Sequence, residues 1–139
     1  MKLHAHFLAE SANFASDGTF TVFKGGITDV GSPMWPVMTK VAIVTRLELD
    51  SDESRRLVEM RVRVTHEGQG MGQARTPLAA KAAQPGQPSY VNSILTMNLI
   101  IPGPGRLTIA ASINEEALPL LYIEAVQLPR QAPGVIPAE

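Results

Sequence analysis

Histidine is the first residue type to test for chemistry. His4 and His6 stand two apart in the segment KLHAHFLAE, and residues two apart on an extended chain point the same way. Two imidazoles so placed could serve a metal ion, with His66 and either Glu10 or Glu67 completing the set. The same spacing suits the polar, solvent-facing side of an edge strand, and a third ligand would have to come from a distant part of the chain. His4, His6 and His66 are therefore weak metal candidates, and no cofactor is expected. Ser11, Ser93 and Ser112 lie in no nucleophile-elbow context, and none has a spacing that implies a base. Asp50, Asp52 and Glu53, and the pair Glu115-Glu116, fall in turn-like segments where acidic residues are ordinary solvated punctuation. No catalytic residue is assigned, and the chain is expected not to be an enzyme. A metal-dependent enzyme built on His4 and His6 ranks last among the readings.

Other residue types point to binding. Arg61 and Arg63 share the outward side of one run, with Lys40 and Arg46 expected on a neighbouring one. They form either a small basic patch or cross-strand ion pairs with Glu48 and Glu59. Trp35, in SPMWPV, either caps one end of a core or anchors a partner. The Gly25-Gly26 pair could be a phosphate cradle only if a helix came directly after it. The next residues are ITDV, with no amphipathic helix and no Gly-Lys-Ser/Thr pattern, so a bulge or corner is expected there. One of the two glycines should take a positive φ.

The totals limit the function classes. The 139 residues suit one domain. The absence of cysteine removes disulfides, thiolate nucleophiles and cysteine-based metal sites. With 12 basic and 13 acidic residues the net charge is -1, so no cationic surplus is available for nucleic acid. Aromatic residues make up 5% of the chain, which leaves few platforms for stacking bases or sugars. The first eleven residues lack a signal peptide's unbroken apolar core, and no apolar run reaches the length of a membrane span. No nucleic-acid or membrane partner is expected, and the cytoplasm is the expected location.

The elements that must carry these residues alternate with a period of two. On 2–10, Leu3, Ala5, Phe7 and Ala9 share one side, and His4, His6, Leu8 and Glu10 the other. A turn at Asp17-Gly18 leads to a second run with Phe20 and Val22. Residues 37–49 and 56–66 are read as a hairpin, with Arg46 opposite Glu59 and a four-residue loop over 51–54. Residues 68–88 break the alternation. Thr76-Pro77 could open one or two helical turns over 76–83, or the segment could be an irregular edge strand in a long loop. Val91, Leu95, Met97, Leu99 and Ile101 share one face of a long strand; Leu107, Ile109, Ala111 and Ile113 share one face of the next. The expected fold is all-β, a single antiparallel β-sandwich of seven or eight strands over 1–128, of jelly-roll or immunoglobulin-like type, with at most one short helix. Residues 129–139 are expected to be a flexible, proline-rich tail.

The segment 118–128 is apolar on both sides: Leu118, Leu120, Tyr122, Val126 and Leu128 on one, and Leu121, Ile123 and Ala125 on the other. Such a strand is central or covered. If it lies at an edge, a second subunit is the expected cover. Ile94 and Ile100, on the minor side of the preceding long strand, point the same way. The interface candidates are therefore Trp35, Ile94, Ile100, Leu118, Leu120, Tyr122 and Val126, while Gly18, Gly25 and Gly26 are turn residues.

The run Asp17-Gly18-Thr19-Phe20-Thr21-Val22, the Gly25-Gly26 pair, and Pro104-Gly105-Arg106-Leu107-Thr108-Ile109 resemble segments of an uncharacterised family of bacterial and bacteriophage domains. The resemblance spans most of residues 3–128, with Ile27 and Leu107 standing where that family carries aromatic residues. It implies a β-sandwich and no catalysis, and its phage members suggest a virion- or shell-associated component. The leading expectation is a structural or protein-interaction module that forms homo-oligomers or packs onto another protein. The alternative is a small-ligand or carbohydrate binder that uses Trp35 and the segment 68–88.

Overall fold

The computed structural model describes residues 1–16, 19–50, 52, 58–78 and 86–130. Ten strands run in chain order: β1 (Lys2–Phe14), β2 (Phe20–Gly25), β3 (Asp29–Ser32), β4 (Val37–Leu49), β5 (Val58–His66), β6 (Gln69–Leu78), β7 (Ser89–Ile101), β8 (Gly105–Ile113), β9 (Glu116–Ala117) and β10 (Leu121–Gln127). They form two packed sheets, one ordered β2-β1-β4-β7, the other β3-β10-β8-β5-β6 with β9 paired to β8. The chain is all-β, and no helix among the described residues is long and apolar enough to cross a membrane. The described residues hold more strands than the seven or eight expected because β3 and β9 are too short to carry an alternation signal and β6 carries a broken one.

The core lies between the sheets and uses the alternation directly. Val41, Ile43, Leu47 and Leu49 of β4 and Val91, Leu99 and Ile101 of β7 point in from the first sheet. Met60, Val62 and Val64 of β5 and Leu107, Ile109, Ala111 and Ile113 of β8 meet them from the second. Each fully buried aliphatic side chain contributes about 1.5–3 kcal/mol relative to exposure.

Four sequence-based expectations are corrected or narrowed by the structure. The runs 37–49 and 56–66 are not a hairpin. β4 lies between β1 and β7 in one sheet, and β5 between β6 and β8 in the other. Alternation marks which residues enter the core, not from which side they enter, so Ile43 and Val62 share a core without sharing a sheet. Second, of the two readings of 76–83, helical turns or an irregular edge strand, Thr76-Pro77 takes the second: it belongs to the edge strand β6, with Pro77 opposite Glu59. An edge position tolerates a residue without an N–H. Third, β1 does not keep one alternation: its register against β4 shifts between Leu3 and Ala5. That bulge reverses the sides, so Leu3, His6 and Leu8 stand beside Leu47, Thr45 and Ile43 on the core side. Fourth, the last strand starts at Leu121 and not at Leu118, and of the two positions open to it, central or covered, it takes the central one, with β8 on one side and β3, in parallel, on the other.

Turn chemistry sets the connections. β5 and β6 are joined by Glu67-Gly68, and β8 and β9 by Asn114-Glu115, each pair with positive φ at both residues, as two-residue hairpins favour. Gly105 has φ 135, and a Cβ there would lie 2.5 Å from Glu67 Oε1. This closeness lets the Arg106 N–H donate to the Glu67 carboxylate at 2.6 Å, tying one sheet-end turn to another. The Asp17-Gly18 turn, most of the 51–54 loop, residues 79–83 and the tail beyond Arg130 lie outside the described residues. Within the expected tail, Arg130 Nε donates to the Pro33 carbonyl at 3.3 Å.

Candidate functional site

The histidines do not meet. His4, at the β1 bulge, is exposed beside Glu48, with Nε2 3.5 Å from a carboxylate oxygen, and its ring meets Tyr90 edge-on. His6 turns inward and its Nδ1 bonds Thr45 Oγ1 at 2.9 Å, while its Nε2 is buried without a hydrogen-bond partner. His66 lies in the other sheet, its Nε2 3.0 Å from the Gly103 carbonyl oxygen. The same-side expectation for His4 and His6 fails because of the bulge, and no group of three His, Cys, Asp or Glu that could hold a metal occurs among the described residues. Burial lowers the His6 pKa from its ordinary 6.5, since a charged imidazolium there would lose its hydration.

The remaining candidates for nucleophile or acid are scattered. Ser93 is buried opposite Thr45, while Ser112 sits on the outer face of β8. Glu115 and Glu116 are exposed at the β8–β9 turn, and Glu53 lies outside the described residues. At the glycine pair, Gly26 has φ 84 and the N–H groups of Gly26 and Ile27 both donate to the Leu8 carbonyl, at 2.7 and 3.2 Å. The chain leaves the first sheet there and enters the second at β3. Gly18 lies outside the described residues.

Two surfaces have the form of binding sites. The first is an open trough of about 650 Å³ on the outer face of the second sheet. Arg61 and Arg63 of β5 and Gln73 and Arg75 of β6 wall it, over a floor containing Ala110 and Ser112 of β8. The register explains the grouping: Arg61 is opposite both Ser112 and Arg75, and Arg63 is opposite both Ala110 and Gln73. Small residues on β8 beside long ones on β5 and β6 leave the hollow. Glu59 accepts from Arg61 Nε at 2.8 Å and lies 3.9 Å from Arg75 Nε, and the Arg61 hydrogen bond holds its carboxyl below the usual range. Of the two readings of Arg61 and Arg63, a basic patch or ion pairs, Arg61 takes the second with Glu59 of its own strand, and Arg75 stands beside it. Lys40 and Arg46 belong to the other sheet, where the Arg46 guanidinium lies 4.8 Å from the Tyr90 ring centroid. Arg75 and Gln73 escape sequence reasoning because residues 69–78 do not read as a strand. The turn pair Glu67-Gly68 is the available signal.

The second surface is apolar. On the outward side of β10 and its flanks, Leu120, Tyr122, Val126 and Leu128 are each between 42% and 48% exposed. They are interrupted by Glu124, which accepts from Arg106 Nε, and that guanidinium lies 5.0 Å from the Tyr122 ring centroid. Trp35 packs partly against the core and donates from Nε1 to Gln127 Oε1 at 2.7 Å, which fixes it to the end of β10. Leu118 does not belong to this surface. It is 6% exposed within the core, because the chain bends there and the Leu118 N–H donates to the Ala111 carbonyl at 2.9 Å. Ile94 is half-buried on the outer face of the first sheet; Ile100 is 61% exposed opposite Met38, itself 70% exposed. Within the segment 68–88, residues 69–78 form strand β6, and 79–85 lie outside the described residues.

Neither the protein-family models nor the curated proteins give a match to this sequence.

Proposed function

We propose that the protein is a non-catalytic structural or protein-interaction module that self-associates or packs onto a larger assembly. The observation that carries this reading is the apolar row Leu120, Tyr122, Val126 and Leu128 on the outward side of an interior strand. An interior strand is already satisfied in its hydrogen bonds, so side chains of this type outside the core serve contact with another surface. Tyr122, with an apolar body and a polar tip, is a residue type that interfaces favour. A virion- or shell-associated component, acting in the cytoplasm or in the particle, is the specific version suggested by the resemblance of the chain's turn motifs to phage and bacterial domains. A jelly-roll arrangement suits it better than an immunoglobulin-like one, because β3, β4, the β5–β6 pair, β7 and β8 alternate between the sheets. Light scattering on a Tyr122→Lys, Val126→Lys double variant tests the row. The expected outcome is a lower mass than the unsubstituted protein at equal concentration, with an unchanged far-UV spectrum. An unchanged mass would remove the row from the interface.

A second reading, a small-ligand or carbohydrate-binding module, is favoured by the trough, where three guanidinium groups stand over small side chains, with Glu59 and Glu115 as the carboxylates that act on Arg61. That chemistry suits a carboxylate, a phosphate or an acidic sugar.

A further inference from the structure

Resting on the small-ligand reading and not on the apolar row, we propose that the trough binds a small phosphate monoester, with the phosphate group seated between Arg63 and Arg75. The three guanidinium groups of the trough are not equally committed. Arg61 donates to Glu59 on its own strand at 2.8 Å, and Glu115 also acts on it. Arg75 has its Nε 3.9 Å from the same Glu59 carboxylate, within ion-pair reach but too long for a hydrogen bond. Both carboxylates lie toward the Val58 end of β5, where the Asn114 N–H donates to the Glu59 carbonyl at 3.1 Å. Arg63 lies further along β5 and makes no ion pair among the described residues. Its cross-strand neighbours are Ala110 and Gln73, which carry no charge.

The lining selects the class of ligand. Three guanidinium groups, the Gln73 amide and the Ser112 hydroxyl line a hollow of about 650 Å³, a set dominated by donors. One guanidinium fork satisfies a planar carboxylate. A second cation and further N–H groups favour a group with more acceptor oxygens and more charge. A phosphate monoester supplies three such oxygens and a charge of about −1.5 to −2 at neutral pH. Arg63 and Arg75 are diagonal neighbours on β5 and β6, a separation of about 7–8 Å that two long side chains can close onto one tetrahedral group. Ala110, Ser112 and Ala117 leave room beside them for the rest of a small molecule. No aromatic ring stands in the lining, so neither a sugar face nor a base can stack there, and the phosphate is the anchor.

The test is isothermal titration calorimetry on the full chain at fixed ionic strength, with glycerol phosphate, inorganic phosphate, succinate and glucose as titrants. Glycerol phosphate should bind saturably, more tightly than inorganic phosphate and at least tenfold more tightly than succinate, with no signal from glucose. Arg63→Ala should weaken the ester at least tenfold. Glu59→Gln, which releases Arg61 and Arg75, should tighten it several-fold. Arg46→Ala, on the other sheet, should leave it unchanged. All three substitutions are on exposed or half-buried positions, and far-UV spectra check that each variant folds. If Arg63→Ala or Glu59→Gln titrates like the unsubstituted chain, or Arg46→Ala weakens binding as much as Arg63→Ala, the phosphate does not sit in the trough and the proposal is overturned. Succinate or inorganic phosphate binding as tightly as the ester, with the variant effects intact, overturns the ester assignment and leaves the small-ligand reading standing. A folded chain that binds none of the titrants removes the trough from both.

Discussion

His6 shows how one residue escapes a periodicity argument. Its neighbours in sequence suggest an outward imidazole beside His4. One extra residue in β1 instead turns it toward Thr45, where Nε2 is buried without a partner. No feature of KLHAHFLAE announces a bulge, because bulges are set by the partner strand and by the need to bring Leu3 and Leu8 to the same core. The consequence is a pH effect. Burial lowers the folded-state pKa below 6.5, so the native state binds fewer protons than the unfolded chain. The contribution is complete above 6.5 and is lost as pH falls from there through the folded-state value. Urea unfolding at about pH 7.5 and about pH 5.5 should therefore show a drop that is smaller in a His6→Gln variant. Equal drops in both proteins would mean that His6 is charged in the fold at no cost.

Among the elements, β7 and β8 are legible in the sequence, and β6 and the last strand only in part. The odd positions from Val91 to Ile101 and from Leu107 to Ile113 form one inward face each, because strands that cover a core on one side alternate cleanly. β6 is an edge strand with two glycines and a proline, so it carries little apolar signal and is held by its register with β5. Residues 118–128 read as one strand, whereas Leu118 enters the core before the strand begins and Leu120 stays outside. Substitution separates them. Leu118→Ala should cost about 2–5 kcal/mol by removing buried contacts, while Leu120→Ala should stay within about 0.5 kcal/mol. Chemical denaturation of both variants checks this, and equal costs would contradict the placement of Leu118.

At the scale of the molecule, the two-sheet architecture can be reached from turns and alternation, while the assignment of strands to sheets cannot. Arg46 opposite Glu59 is a reasonable pairing on charge. Yet Glu59 holds Arg61 on its own strand and approaches Arg75 on β6, a segment without a strand signal. The trough is hidden for that reason: it needs three strands in known order before Arg61, Arg63 and Arg75 can be seen together. The apolar surplus on residues 118–128 is visible from composition alone, and its outward half remains outside after folding. That surplus supports one account, a sandwich made to be covered by protein. Sedimentation velocity of the untagged, unsubstituted chain across a wide concentration range tests it most directly. The account requires a species of at least twice the chain mass that grows with concentration. A single species of one chain mass throughout the range would contradict it.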